Sequence, residues 1–172
     1  MGLDMFLNRK RDLNWEEIQG LQDKFPETKN PIYGIKEEIA YWRKANQIHN
    51  FFMKKDVNGE DRQADVDIND IKELLKICKR LKRELRLTKG KIHTGTRFTK
   101  DGKKEIYEEG EIIANPKLAE ELLPTRAGFF FGDTDYDSYY YEQICEAIPI
   151  LQKIVDEHNK YNNVSYEYIA SW

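Results

Sequence analysis

Hydrophobic and polar positions alternate at both ends of the chain. In "MGLDMFLNRK", Leu3, Met5 and Leu7 fall on one side and Gly2, Asp4 and Phe6 on the other, the period-two pattern of a strand. In "NVSYEYIASW", Val164, Tyr166, Tyr168, Ala170 and Trp172 share one face in the same way. Pairing the two ends in one small sheet would give each a partner. Between them the spacing is mostly helical. "NWEEIQGLQDKF" supplies Asn14 as a cap with acids in the first turn, predicting a short helix. "NPIYG" is a turn-rich connection, and residues 35–55 then read as one long helix. "KDVNGEDRQADVD" is polar, and its Asn58-Gly59 predicts a loop or hairpin tip. Ile71, Leu74, Cys78, Leu81 and Leu85 give a third helix its apolar seam.

The stretch from residue 90 to about 161 predicts a hairpin, a short helix, a short strand and a long helix. Asp101-Gly102 within residues 90–114 is a hairpin signal. Asn115-Pro116 is a cap followed by a favoured first-turn residue. "GFFFG" looks like a very short buried strand clamped by glycines. The long helix spans about 138–161, with a kink expected at Pro149. No internal repeat or long linker divides the chain. The expectation is a single α+β domain over residues 1–172, with several helices packed on a small, mainly antiparallel sheet that includes both termini.

Composition narrows the function more than the fold. The 172 residues are 34% charged, yet the signs nearly cancel to a net charge of −3. That argues against a dedicated duplex-DNA binder, which carries a basic excess. No apolar run approaches the ~20 residues needed to cross a bilayer. A secretory signal is absent, and "MGLDMF" has Phe6 where a myristoylation signal needs Ser or Thr. A soluble, cytoplasmic protein is expected. The two cysteines, Cys78 and Cys145, lie within helical patterns and read as small buried side chains.

Residues 40–52, "AYWRKANQIHNFF", raise the first question about chemistry. On a helical wheel Ile35, Ile39, Trp42 and Met53 form a stripe. Asn46 falls in its middle, with His49 on one side and Arg43 and Asn50 on the other. Buried polar groups without partners cost about 1–3 kcal/mol each. This set must therefore meet neighbours, water or a ligand. The bland reading is internal hydrogen bonding, with Asp4 or Glu38 pairing Arg43. The functional reading is a pocket floor in which Trp42 stacks on a planar anionic ligand and Arg43, Asn46 and His49 donate to it.

A second concentration lies in "LPTRAGFFFGDTDYDSYYYEQ". Thr125, Arg126, Thr134, Tyr136 and Asp137 could line a ligand mouth at the start of the last helix. Asp133, Asp135 and Asp137 have the first spacings of a calcium loop. Ser138 then stands where glycine is wanted and Ile144 where a bidentate Glu is wanted, so no calcium loop is expected and no metal ligand is assigned, with a divalent ion held by two of these acids as the lesser reading. Asp137 or Ser138 reads instead as the helix cap.

"KICKRLKRELRLTKGK", residues 76–91, carries eight basic residues against one acid. It is a solvated helix face, or a patch for phosphates or an acidic protein. Catalytic signals are sparse. His49, His93 and His158 show no metal-ligand spacing, and no Walker loop, nucleophile elbow or dinucleotide fingerprint occurs. No cofactor or catalytic residue is assigned.

Three segments and the tail together carry a resemblance. "MGLDMFL", "EIAYWRKANQIHNFF", "LPTRAGFFFGDTDYD" and "YIASW" resemble a family of small, mostly uncharacterised bacteriophage and prophage proteins, over nearly the whole chain. The resemblance implies a phage context more than a particular chemistry. The expected function is an accessory protein that binds a small anionic ligand, such as a nucleotide signal of host defence, through Trp42, Arg43, Asn46, His49, Thr125, Arg126, Thr134, Tyr136 and Asp137. The alternatives are an inhibitor that docks on a host protein through the basic helix, or a phosphodiester hydrolase. A homo-oligomer fits any of these.

Overall fold

The two chain ends do pair. In the computed structural model, which describes residues 2–54, 59, 62–100 and 102–172, β1 (Asp4–Asp12) runs antiparallel to β6 (Ser165–Ser171) at the centre of a four-stranded sheet. The sheet order is β2-β1-β6-β3, with β2 (Gly34–Arg43) and β3 (Gln63–Val66) at the edges. Met5 stands opposite Trp42 and Ala170, and Leu7 opposite Ala40 and Tyr168. All six are buried, so this face is the core side. The other face is open: Phe6 and Tyr41 touch there at 5.3 Å. Antiparallel sheets tolerate such one-sided burial.

The long helix expected over 35–55 is two elements. Residues 34–43 form β2, and only Asn46–Met53 is helical (α2), after a turn in which Lys44 takes φ +57°. The misreading has a physical cause. The β1–β2 register slips between Leu7 and Asn8, pairing Leu7 with Ala40 and Asn8 with Glu38. Ile39 is thus the extra residue of a bulge. An inserted residue breaks period-two alternation and leaves Ile35, Ile39 and Trp42 at i, i+4 and i+7, which mimics a helix. β3 likewise lies within the stretch read as loop. The turn expected at Asn58-Gly59 falls, apart from Gly59, outside the described residues.

The helices follow their sequence signals more closely. α1 (Trp15–Lys24) begins with a capping box in which Asn14 and Glu17 exchange hydrogen bonds. α3 (Ile68–Glu84) begins with another, made by Asp67 and Asp70. Its buried residues Ile71, Leu74, Leu75, Cys78 and Leu81 pack toward α5 (Ser138–Glu157). Burying each large aliphatic side chain stabilises by about 1.5–3 kcal/mol before entropy is counted. Pro149 lies inside α5 and does not end it, and a short 3-10 turn over 158–160 finishes the segment. α4 (Lys117–Leu122) follows Asn115, whose side chain accepts from the Lys117 amide at 3.3 Å.

β4 (Leu87–Thr99) and β5 (Gly102–Ile113) form a separate two-stranded ribbon, as the hairpin signal predicts, with Gly102 at φ +126°. "GFFFG" is not a strand. The Phe131 amide bonds back to the Gly128 carbonyl at 3.2 Å, and Phe130 takes φ +76°. Phe129 is 80% exposed, and only Phe131 is buried. The α+β class and the pairing of both ends are as expected. Among the described residues no helix is long and apolar enough to cross a membrane.

Candidate functional site

Strand geometry separates the residues that a helical wheel put together. Neighbours in a strand point to opposite faces. Trp42 therefore enters the core, buried against Phe52 at 6.4 Å between ring centroids. Arg43 turns to the open face, with 58% side-chain exposure and Nε 3.9 Å from Asp4. Asn46 and His49 are sealed in α2. Asn46 donates to the carbonyls of Asp133 (2.6 Å) and Phe131 (3.4 Å), and its Oδ1 accepts from the Arg126 amide (3.1 Å). His49 meets the Tyr168 hydroxyl through Nδ1 at 2.8 Å and stacks edge-on with Phe131 and Trp172. These four residues do not converge on one hollow. Asn46 instead clamps the 126–133 loop to α2.

One feature of that region stays open. The Trp42 indole N–H is buried without a hydrogen-bond partner among the described residues. Trp42 also lines a hollow of about 280 Å³ with Tyr41, Arg43, Tyr139, Gln143 and Glu146. Glu146 on its wall and the outward turn of Arg43 make it a poor seat for an anion.

The structure does bring Thr125, Arg126, Thr134, Tyr136 and Asp137 together, and they bond chiefly to one another and to the fold. The Thr125 hydroxyl donates to the Thr134 carbonyl at 3.0 Å, and the Thr125 amide donates to the Tyr136 hydroxyl at 3.2 Å. Asp137 caps α5 by accepting from the Tyr140 amide at 3.1 Å. Asp133 folds back on the amides of Thr134 and Asp135. Burial, with Asp133 and Asp137 nearby, raises the Asp135 carboxyl above its usual range. Among the described residues no three His, Cys, Asp or Glu side chains are grouped as metal ligands.

Sequence reasoning missed a contact across this loop. His93 on β4 meets Asp133 through Nδ1 at 2.9 Å and Glu105 through Nε2 at 2.5 Å. Asp133 first, then Glu105, raises the imidazole above its usual range. Lys103, then Thr96, then His93 hold Glu105 down at about 2. Nothing in local sequence relates residues 93 and 133, so only the fold reveals the pair. A hollow of about 470 Å³ opens beside them, lined by Thr94, Gly95, Gly128 and Thr134 as well. With both ring nitrogens engaged, His93 works as a clasp between ribbon and loop.

A gathering of positive charge stands on α3. Spacings of three and four residues place Lys72, Lys76, Lys79, Arg80 and Arg83 around a hollow of about 350 Å³ floored by Leu75. Arg80 and Arg83 share one acid, Glu84, at 3.3 and 2.8 Å. Lys79 reaches only the neutral Gln152, at 2.5 Å. Lys72 and Lys76 make no ion pair among the described residues. The basic run beginning at residue 76 foreshadows this face. Lys72 lies one turn earlier and was visible in the spacing. Cys78, on the buried side, has its thiol pushed up to about 12 by burial and is inert. Set against protein-family models, curated proteins and solved structures, the chain finds no match in any of the three.

Proposed function

We propose that this chain is a phage or prophage accessory protein that captures a small anionic ligand, of the nucleotide class, on the cationic face of α3. The observation that carries the reading is the ring of Lys72, Lys76, Lys79, Arg80 and Arg83 around one hollow, in a chain whose net charge is −3. Its volume of about 350 Å³ lies within the range of small-molecule sites, about 300–1,000 Å³. The two guanidinium groups can fork onto phosphate oxygens, and the lysines add point charges. Leu75 and the aliphatic stems of the same cations offer an apolar bed for a base.

Capture rather than turnover fits the histidines. His49 is sealed against Tyr168, His93 is held between two carboxylates, and His158 meets the Tyr166 hydroxyl at 2.9 Å. None stands free beside the cationic face as a general base. The phage context comes from the sequence resemblance and makes nucleotide signals of the host the first ligands to try.

The test is depletion. Cyclic and linear nucleotides are incubated with the protein at low salt, the protein is separated and heat-denatured, and the released material is analysed. Intact nucleotide returned by the wild type, with at least about tenfold weaker capture by Lys76→Ala/Arg83→Ala, is the expected result; tenfold corresponds to about 1.4 kcal/mol. Cleaved nucleotide would turn the reading toward a hydrolase. Equal capture by the folded double variant would remove the site from α3.

A further inference from the structure

The β4–β5 ribbon carries a second cationic feature that α3 does not explain. Its last hydrogen bond to the rest of the fold among the described residues is the clasp at His93, opposite Tyr107. Beyond that row the ribbon runs to the Thr99–Gly102 pair, six residues on and about 20 Å at strand rise. Hydrogen bonds of this outer part stay within the ribbon, as from Thr96 to Glu105 and from Thr99 to Gly102. It projects Arg97, Lys100, Lys103 and Lys104, against Glu105 as the acid among the described residues there.

Two placements on it offer a ligand something to bind. Arg97 stands directly opposite Lys104 in the ladder, and like charges so placed destabilise an antiparallel pair. Neither makes an ion pair among the described residues; Glu105 is taken by Lys103 and His93. Phe98, in the next row, is 80% exposed, and Tyr107 is 55% exposed. Alternation puts those two rings on one face and the Arg97–Lys104 pair on the other. On the charged face, a Cβ added to Gly95 would meet nothing within 4 Å. A hollow of about 380 Å³ is bounded there by Arg97, Lys104 and Ile106, and it reaches Tyr107 and Glu105, whose carboxylate is held by Lys103 and His93.

We infer that the outer ribbon is a binding arm for single-stranded nucleic acid. A strand passing over the edge of β4 that β5 does not cover sets phosphates between Arg97 and Lys104 on one face, relieving their repulsion, and a base on the Phe98 ring on the other. A strand of repeated phosphates with free flat bases supplies both features at once. An acidic peptide answers the cations but leaves Phe98 in water, and a duplex turns its bases inward. The arm is a different element from α3 and stands without the reading given above.

Fluorescence anisotropy with a labelled oligothymidylate of about a dozen nucleotides tests it. The wild type is expected to bind at low salt. Arg97→Ala/Lys104→Ala should weaken binding at least about tenfold and flatten the salt dependence by about 1.4 in log–log slope, or 0.7 per lost phosphate contact. Phe98→Ala should weaken binding about fivefold or more with the slope unchanged, and leave a polyphosphate probe unaffected. All three positions are exposed, so circular dichroism should report wild-type folding. No binding by the folded protein, or tighter binding of a duplex of the same length, overturns the inference. So does loss of binding in the α3 variant Lys76→Ala/Arg83→Ala with none in the ribbon variants. That last result would leave the α3 reading standing.

Discussion

Two regions of this molecule gather positive charge, and they resolve it in opposite ways. On β1, Arg9 and Arg11 continue the row of Met5 and Leu7 into the core side, each with 7% side-chain exposure. There every charge is answered. Glu37 sits between them at 2.9 and 3.2 Å, Glu17 forks onto Arg11, and Glu157 reaches Arg9 at 3.4 Å. The Tyr161 ring lies under both guanidinium groups, at 4.2 and 4.4 Å. On α3, five cations share a single acid and face solvent. Burial compels a cation to find its partner inside the chain, whereas exposure lets it wait for one outside. Open charge is therefore the better guide to a binding face, and buried charge to architecture.

The sharpest way to break this contrast is to remove the acid at the centre of the closed network. Glu37→Ala leaves Arg9 with Glu157 and Arg11 with Glu17, so neither guanidinium is stranded, and the loss is that of charged hydrogen bonds, about 1.5–3 kcal/mol. Urea unfolding should show a loss of that size, and Glu37→Gln a smaller one because its amide oxygen still accepts. A loss below about 1 kcal/mol would mean that solvent already screens the network, as it does surface ion pairs. The two regions would then differ in degree only.

How legible each region was follows from how local its cause is. The Asn14 cap of α1, the hairpin that closes at Thr99 and Gly102 and the terminal strands are written in neighbouring residues, and the structure has them, Asp101 itself lying outside the described residues. β2 was hidden because the bulge residue Ile39 belongs to a pairing with β1, which no single segment records. Once 34–43 became a strand, the constellation of Trp42, Arg43, Asn46 and His49 came apart, since its convergence relied on a helical period. Asn46 was rightly singled out as needing partners. They turned out to be backbone groups 80 and more residues away. The α3 face was legible in part: the basic run covers Lys76 to Arg83, whereas Lys72 lies before it and the contact of Lys79 with Gln152 comes from another helix.

The His93 clasp lies between the extremes, with 25% side-chain exposure and a carboxylate at each nitrogen. Its sign can be worked out. His93 is raised above its ordinary 6.5, so its contribution is complete below pH 6.5 and fades as pH rises through the folded value. Glu105 falls from 4.5 to about 2, so its contribution is complete above pH 4.5 and fades toward pH 2. The clasp should hold best between those limits. The groups facing the ring are Asp133, Glu105 and Tyr107, with Thr96 sharing Glu105. Corrected for the intrinsic pH dependence of exchange, the protection of amides at the base of the ribbon should fall from pH 6 to 8 in the wild type and show no such step in His93→Gln. A flat wild-type profile would mean that the ring is neutral in place and the clasp an ordinary hydrogen bond.

The smallest stability effect belongs to the open face, and its sign is the informative part. Lys72 and Lys76 are four apart, as are Lys76 and Arg80, and Lys79 and Arg83. Each like-charge pair at that spacing costs a helix about 0.2–0.5 kcal/mol. Lys72→Ala/Lys76→Ala removes the first two repulsions and replaces lysine with a slightly better helix former. The variant should unfold at the same or slightly higher urea concentration, by at most about 0.5–1 kcal/mol, and the gain should shrink in high salt as screening takes over. A stability loss would instead show that the lysine stems pack for the fold's own benefit. A face held at a small cost, whose Lys72 and Lys76 make no ion pair among the described residues, is what the proposed capture of an anion requires.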